Sequence, residues 1–156
     1  MGKSKLLFAA AILASLAGLV ACSDSSSTTR AAFVSKADAV CKKFNDESDK
    51  VTATLTADST EEEFVKLVKE QLVPLFKKQL AEIRGLGFPK ADEAELNRLM
   101  NESDKLADQI SADPIKFANL ETDPFADINS ALASYGMTEC GDPTTTESTA
   151  AGPSTT

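Results

Sequence analysis

The sequence contains no histidine and no tryptophan, and Tyr135 is its single tyrosine. Without histidine the chain lacks the commonest metal ligand, the commonest general base and every His-based catalytic triad. Because Tyr135 is the only tyrosine and tryptophan is absent, an aromatic platform that stacks sugars or nucleobases is not expected. Its 24 acidic residues outnumber 16 basic ones, for a formal net charge of −8, and such a surface repels nucleic-acid phosphates. We therefore expect a non-enzymatic protein without a nucleic-acid partner, cofactor, metal or catalytic residue.

The first residues have the layout of an export signal. Two basic residues, Lys3 and Lys5, precede an apolar run from Leu6 to Val20. This run is about fifteen residues long, shorter than the roughly twenty that a membrane-spanning helix needs. It ends in the sequence Leu-Val-Ala-Cys, with Cys22 in the last place, and a serine-rich segment follows at once.

This arrangement resembles the lipobox of bacterial lipoproteins, in which the residue matching Cys22 becomes the acylated N-terminus. The resemblance implies a signal peptide over residues 1–21, palmitate-type chains on Cys22 and a protein held at the extracytoplasmic face of the cell membrane. Two or three fatty chains hold a protein firmly, whereas one holds it only marginally. The alternatives are an uncleaved anchor or an ordinary signal cut elsewhere, with Cys22 an incidental thiol.

Apart from Cys22, the chain has two cysteines, Cys41 and Cys140. An even pair in an exported protein favours one structural disulfide, which here closes a loop of about one hundred residues. The alternative is a redox-active pair. Redox dithiols usually lie in a Cys-x-x-Cys turn that lowers the thiol pKa, and neither cysteine has such a neighbour. We predict a structural Cys41–Cys140 bridge.

Composition divides the rest of the chain into three parts. Residues 22–29 are rich in Ser and Thr, which predicts a flexible tether. Residues 30–141 carry the apolar periodicity of a helical domain. Residues 142–156 consist mostly of Pro, Thr, Ser, Gly and Ala and have little to bury, which predicts a disordered tail. Sugar attachment to this tail stays an open alternative.

Apolar residues at helical spacing predict the first two helices. The first is expected over about Arg30–Leu55, with a stripe that comprises Phe33, Ala37, Val40, Phe44, Val51 and Leu55. The second is expected to open at Ser59 or Thr60, because Ser59 and Glu62 match a capping box. It should end at the glycines of the segment 85–87, where a helix C-cap favours glycine.

The third helix is expected to begin at Asp92, with Glu95 completing another capping-box pattern. Its inner face should comprise Leu96, Leu99, Met100, Leu106 and Ile110. Asp113-Pro114 and Asp123-Pro124 each place a cap before a proline, which predicts a short helix and then a last helix ending at Gly136. No segment alternates as a strand would. The predicted fold is all-α, a compact bundle of four to five helices with one disulfide.

The second helix is predicted to be the central one, because its apolar residues span more than half of its circumference. Pro74 lacks an amide and clashes with the preceding turn, so it is expected to kink or split this helix near Val73. A broad apolar surface beside a kink indicates an apolar ligand pocket, which would be lined by Leu72, Leu75 and Phe76. The alternative is ordinary burial of a central helix.

Other chemical patterns are better explained by structure. The acidic stretch 45–49 lacks the glycine and closing glutamate of an EF-hand loop and lies inside a helical pattern. Ser35-Lys36 and Ser103-Asp104-Lys105 place serine near lysine in sequence, but Lys36 and Lys105 are expected to face solvent, whereas a nucleophilic pair needs a desolvated lysine.

Four further segments carry a second resemblance: residues 37–45, 72–74, 83–86 and 134–141. Together they resemble small secreted helical lipoproteins of high-GC Gram-positive bacteria. The resemblance spans most of the helical domain. It implies a host of that class, supports the Cys41–Cys140 bridge and implies no catalytic residue.

The sequence thus predicts a non-catalytic, membrane-anchored extracytoplasmic lipoprotein that serves as a protein-interaction module of the cell envelope. The alternative is a carrier or sensor that binds an apolar small molecule inside the helical bundle. An open pocket at Leu72, Leu75 and Phe76 would favour the carrier. Dense packing there would favour the interaction module.

Overall fold

The computed structural model describes residues 28–141. The signal peptide expected over residues 1–21, the lipidation site expected at Cys22, the tether up to residue 27 and the tail over residues 142–156 lie outside the described residues. Within residues 28–141 the chain is helical and has no strand.

Six α-helices and one π turn form the domain. Their bounds are α1 (Arg30–Thr52), α2 (Glu61–Leu67), the π turn (Val68–Leu72), α3 (Val73–Gly85), α4 (Glu93–Ala112), α5 (Pro114–Ala118) and α6 (Ala126–Tyr135). Because α2, the π turn and α3 follow one another without a break, they make one long central helix. The described chain is therefore a five-helix bundle, and the predicted fold class is confirmed.

Helix α1 begins as expected but ends earlier than predicted. Thr29, which the composition assigns to the tether, is its N-cap and accepts a hydrogen bond from the Ala32 amide at 3.3 Å. The helix ends at Thr52 instead of Leu55. The Thr52 hydroxyl donates to the carbonyls of Ser48 and Asp49, both at 3.1 Å. Such local side-chain bonds compete with the continuation of a helix.

The capping box of α2 lies one residue later than predicted. The Glu63 amide donates to Thr60 Oγ1 at 3.2 Å, and the Thr60 amide donates back to Glu63 Oε2 at 2.8 Å. Ser59 instead accepts a hydrogen bond from the Thr56 amide at 2.9 Å. The predicted pair of Ser59 and Glu62 is thus wrong by one position, because Ser59 closes the preceding turn.

The two later aspartate caps differ from each other. Asp113 caps α5 and accepts from the Lys116 amide at 3.1 Å, as expected. Asp123 instead accepts from the Phe125 amide at 2.8 Å, so it closes a turn, and α6 starts at Ala126. Gly136 ends α6 in the left-handed conformation, with φ of 109°, as its position predicted.

The core of the bundle contains the disulfide that joins α1 to the segment after α6. Cys41 is fully buried and is bonded to Cys140, with Cα atoms 5.1 Å apart. The predicted bridge is therefore present. None of the helices in residues 28–141 is long and apolar enough to span a membrane.

Candidate functional site

The apolar interior of the bundle is divided into two clusters. The main cluster comprises Phe33, Ala37, Cys41, Leu80, Ile83, Leu96, Leu99, Met100, Ile128, Leu132 and Met137. The second cluster comprises Phe64, Val68, Val73 and Ala107. Phe76 is partly buried and packs against both. A cavity lies between the clusters and draws its walls from each.

This core cavity has a volume of about 500 Å³. Helix α1 contributes Cys41 and Phe44 to its wall, and α4 contributes Met100, Ser103 and Ala107. Native interiors are packed as densely as organic crystals and hold few voids larger than a water molecule. The volume falls in the range of small-molecule binding sites, about 300–1,000 Å³.

The π turn shapes the wall that the central helix provides. The Val73 amide donates to the Val68 carbonyl, five residues back, instead of four. Pro74 has no amide to offer the Glu70 carbonyl, and its ring crowds that carbonyl, so a wider turn just before it relieves both problems. The interruption expected near Val73 is thus a π turn within a continuous helix, and π turns occur frequently at functional sites.

The three residues predicted to line a pocket all lie on the cavity wall. Leu72 is the last residue of the π turn, and Leu75 and Phe76 follow in the first turn of α3. All three are partly buried.

Phe76 is fixed by an aromatic contact across the bundle. Its ring meets the ring of Phe125 edge to face, with centroids 5.3 Å apart. Phe125 stands immediately before α6 and also lines the cavity. Both rings therefore lie on the cavity wall. No sequence pattern indicates their contact, because the two residues are far apart in the chain.

A buried hydroxyl stands on the α4 wall. Ser103 is 1% exposed, and its hydroxyl donates to the Leu99 carbonyl at 2.9 Å. Within the described residues, every buried side-chain nitrogen or oxygen has a hydrogen-bond partner. Lys105, two residues after Ser103, is exposed, so this serine and lysine do not form a pair.

The mouth of the cavity is formed by the loop of residues 119–125, between α5 and α6. Leu120 is 43% exposed and is the large apolar side chain that the described residues expose most. Glu121 and Thr122 follow it in the loop, and both are exposed lining residues. Asp123 holds the loop, since its carboxylate accepts from the Phe125 amide at 2.8 Å and from Asn129 Nδ2 at 3.3 Å.

A separate polar cluster joins the start of α1 to α4 and α6. Arg30 stacks its guanidinium 4.0 Å from the centre of the Tyr135 ring and donates to the Tyr135 carbonyl at 2.9 Å. The Tyr135 hydroxyl donates to Asp92 Oδ2 at 2.7 Å. Partial burial, and then the hydrogen bond to Asp92, raise the pKa of Tyr135 to about 12, although the charge of Arg30 acts in the opposite direction.

The Tyr135 contact also explains why Asp92 does not cap α4 with its side chain. The helix starts after Asp92 as predicted, but the Asp92 side chain accepts from no amide of α4, so the capping-box pattern with Glu95 is wrong. Glu95 pairs instead with Arg98 in the next turn, which lowers the pKa of its carboxyl group through the hydrogen bond.

The described residues contain no group of three histidine, cysteine or acidic side chains placed to hold a metal ion. Residues 45–49 lie within α1. No protein-family model, curated protein or solved structure matches the chain.

Proposed function

We propose that this protein is an exported, lipid-anchored carrier or sensor whose helical domain binds an apolar small molecule in the core cavity. The export and anchoring part rests on the pattern that ends at Cys22. The binding part rests on the cavity, and of the two functions that the sequence left open it favours the carrier.

The size and position of the cavity carry the proposal. The cavity of about 500 Å³ opens to solvent at its mouth, so water can reach the apolar side chains of its wall. Covering apolar surface contributes roughly 25 cal/mol for each Å² removed from water. An apolar occupant that contacts both core clusters would therefore gain binding free energy from the surface that it covers.

The competing function is a protein-interaction module that holds no ligand. Exposed apolar patches mark such surfaces. The most exposed large apolar side chain of the described residues, Leu120, belongs to the mouth of the cavity. This apolar surface is therefore better explained as part of a ligand entrance. The interaction module remains the competing prediction, and the experiment below distinguishes the two functions.

The test begins with native mass spectrometry of the full protein extracted gently from its own host membrane. The expected result is a reproducible apolar adduct on the lipidated protein. Ala118 is partly buried on the cavity wall, so Ala118→Leu should narrow the cavity and remove the adduct. Ala112→Leu is the matched control, because Ala112 is exposed near the end of α4 and lies outside the lining.

The same pair of variants reports whether the space beside Ala118 accepts a larger side chain. An added side chain in a packed core costs about 1–3 kcal/mol, whereas in an empty space it costs nothing or stabilises. We expect urea unfolding to show no loss for Ala118→Leu. A clean lipidated mass together with a large loss of stability would exclude the carrier and direct the search to cross-linked protein partners.

The anchor has a separate test. Cys22→Ser should move the protein from the membrane fraction to the soluble or secreted fraction, because the acylated thiol is gone. Ser23→Ala is the control and should stay with the membrane. Retention of Cys22→Ser on the membrane would contradict the lipobox interpretation and leave the cavity proposal untouched.

A further inference from the structure

Phenylalanine rings are concentrated on the wall of the core cavity. Five of the chain's eight phenylalanines line it. They come from α1, α2, α3, α5 and the residue before α6, and they are Phe44, Phe64, Phe76, Phe117 and Phe125. Because each ring belongs to a different part of the chain, the set is not the apolar stripe of a single helix. The fold brings these rings together on the wall of one space.

The rings of the wall differ in their contacts from the rings of the main core. Phe33 and Phe88 meet edge to face, with centroids 5.6 Å apart, and neither lines the cavity. On the wall, Phe76 is paired with Phe125. Within residues 28–141, no ring pair includes Phe64 or Phe117. These two rings are therefore available to an aromatic molecule inside the cavity.

The helices that build the wall contribute no charge to it. Although 26% of the chain is charged, no ionisable side chain of the described helices except those of the disulfide lines the cavity, and the bonded cysteines do not titrate. The ionisable lining residues, Glu121 and Asp123, belong to the mouth loop. A charge placed in an apolar interior costs free energy unless it is paired. The part of a ligand that lies between the two core clusters is therefore uncharged.

The volume of the cavity limits the size of this part. An apolar cavity of about 150 Å³ takes up one benzene molecule. The core cavity, at about 500 Å³, has roughly three times that volume. It therefore has room for a molecule of two or three fused rings.

We infer that the cavity binds an uncharged molecule with a fused aromatic ring system, which lies between the two core clusters and contacts the rings of Phe64 and Phe117. This inference rests on the proposed function, since it names the class of molecule that the cavity takes. Aromatic pairs gain free energy beyond the apolar area that they bury. A saturated molecule of the same skeleton lacks this gain.

The test compares four ligands with the same two-ring skeleton. Naphthylmethanol is uncharged and aromatic, and decalinylmethanol is its saturated counterpart. Naphthylmethylamine and naphthoate carry a positive and a negative charge at neutral pH. Binding to the full protein, with its disulfide intact, is measured by calorimetry.

We expect naphthylmethanol to bind about two- to tenfold more tightly than decalinylmethanol. The saturated molecule is bulkier and more apolar, so burial of apolar surface alone would give the opposite order. The two charged ligands should bind more weakly than naphthylmethanol, because the helices offer their charges no partner.

Matched variants locate the ring effect. Phe117→Leu should weaken naphthylmethanol about two- to tenfold and change decalinylmethanol much less, and Phe64→Leu should do the same from another helix. Phe88→Leu is the control, because Phe88 is partly buried like Phe117 but lies outside the lining. It removes the ring contact with Phe33 and should change the binding of neither ligand. Equal losses in Phe117→Leu and Phe88→Leu would show a general effect on the fold and would overturn the inference.

The remaining outcomes separate the inference from the proposed function. If decalinylmethanol binds as tightly as naphthylmethanol, and Ala118→Leu weakens both, the ring inference is wrong while the cavity still binds apolar molecules. If either charged ligand binds more tightly than naphthylmethanol, the uncharged class is wrong. If none of the four binds to folded protein but extraction from the host membrane yields an apolar adduct, the inference fails and the proposed function stands. If there is neither binding nor an adduct, both fail.

Discussion

The rings of Phe76 and Phe125 meet edge to face, with their planes at 72°. This contact ties the first turn of α3 to the residue that precedes α6, across the mouth side of the core cavity. Phe76 also packs against both core clusters, so the ring pair connects the residue before α6 to both parts of the interior. Part of the cavity wall is thus a contact between residues that are far apart in sequence.

A double-mutant cycle on this pair tests that dependence. Phe76→Leu and Phe125→Leu each keep an apolar side chain and remove the ring contact. Edge-to-face pairs contribute about 0.5–1.5 kcal/mol beyond their buried area, so we expect a coupling free energy of about 1 kcal/mol in urea unfolding. Additive effects of the two substitutions would show that the rings do not support each other.

The sequence predicted the parts of the fold that depend on local pattern. Helical periodicity located the five helices, and cysteine counting identified the Cys41–Cys140 bridge. The breadth of the apolar surface beside Pro74 pointed to Leu72, Leu75 and Phe76, which all line the cavity. The helical signals each lie within one segment of the sequence, and the disulfide follows from the number of cysteines without any knowledge of the fold.

The mouth of the cavity could not be predicted in that way. Leu120 and Glu121 lie in a loop with no periodicity, and only the packing of α5 and α6 brings them to the opening. Ser103 was not predicted to line the cavity, and the reason is different. It continues the inner face of α4 at helical spacing, from Leu99 to Ala107, but it is polar. Its hydroxyl is satisfied by its own helix, and this is how a serine is buried without a partner from elsewhere.

Gly141 should tolerate no side chain. A Cβ atom there would lie 2.6 Å from the Ala133 amide nitrogen and closer still to the Asn129 carbonyl oxygen, and both are backbone atoms that cannot move aside cheaply. We expect Gly141→Ala to lower the free energy of unfolding by about 1–3 kcal/mol, as overpacking does.

Gly85 supplies the control for this prediction. A Cβ atom there meets nothing within 4 Å, and Gly85 is the last residue of α3. Gly85→Ala should therefore be neutral or stabilise by up to about 1 kcal/mol, since alanine restricts the unfolded chain. Thermal or urea unfolding compares the two variants directly, and equal effects would mean that the backbone at Gly141 does not approach α6 so closely.

Loss of the disulfide should cost a large part of the stability. The bridge spans 99 positions, and in the chain-entropy model a loop of about one hundred residues is worth about 4–5 kcal/mol. We expect the Cys41→Ala/Cys140→Ala protein to unfold at markedly lower urea concentration than the oxidised protein. Reduced wild-type protein should behave like the double variant. If reduction leaves the unfolding midpoint unchanged, the bridge contributes little to stability.

The raised pKa of Tyr135 can be measured directly by ultraviolet absorbance. Because the chain has no tryptophan and one tyrosine, the ultraviolet absorbance of tyrosinate reports Tyr135 alone. We expect its titration midpoint near pH 12 in the folded protein and near pH 10 in urea, where the side chain is solvated. Asp92→Asn removes the neighbouring charge and should lower the folded midpoint. Arg30→Gln removes the opposing charge and should raise it.

The same shift fixes the sign of the pH dependence of stability. The folded pKa of Tyr135 lies above the unfolded one, so the folded state holds the proton more firmly. The resulting contribution is fully present below about pH 10 and is lost as the pH rises through about 12. At neutral pH, Tyr135→Phe should lower the free energy of unfolding by about 1 kcal/mol, because the hydrogen bond to Asp92 is missing. Between those two pH values the wild-type protein should lose further stability, and the variant should not. Urea unfolding at neutral and alkaline pH compares the two proteins. Parallel alkaline losses would mean that other groups, and not the Tyr135 hydroxyl, govern the alkaline limit.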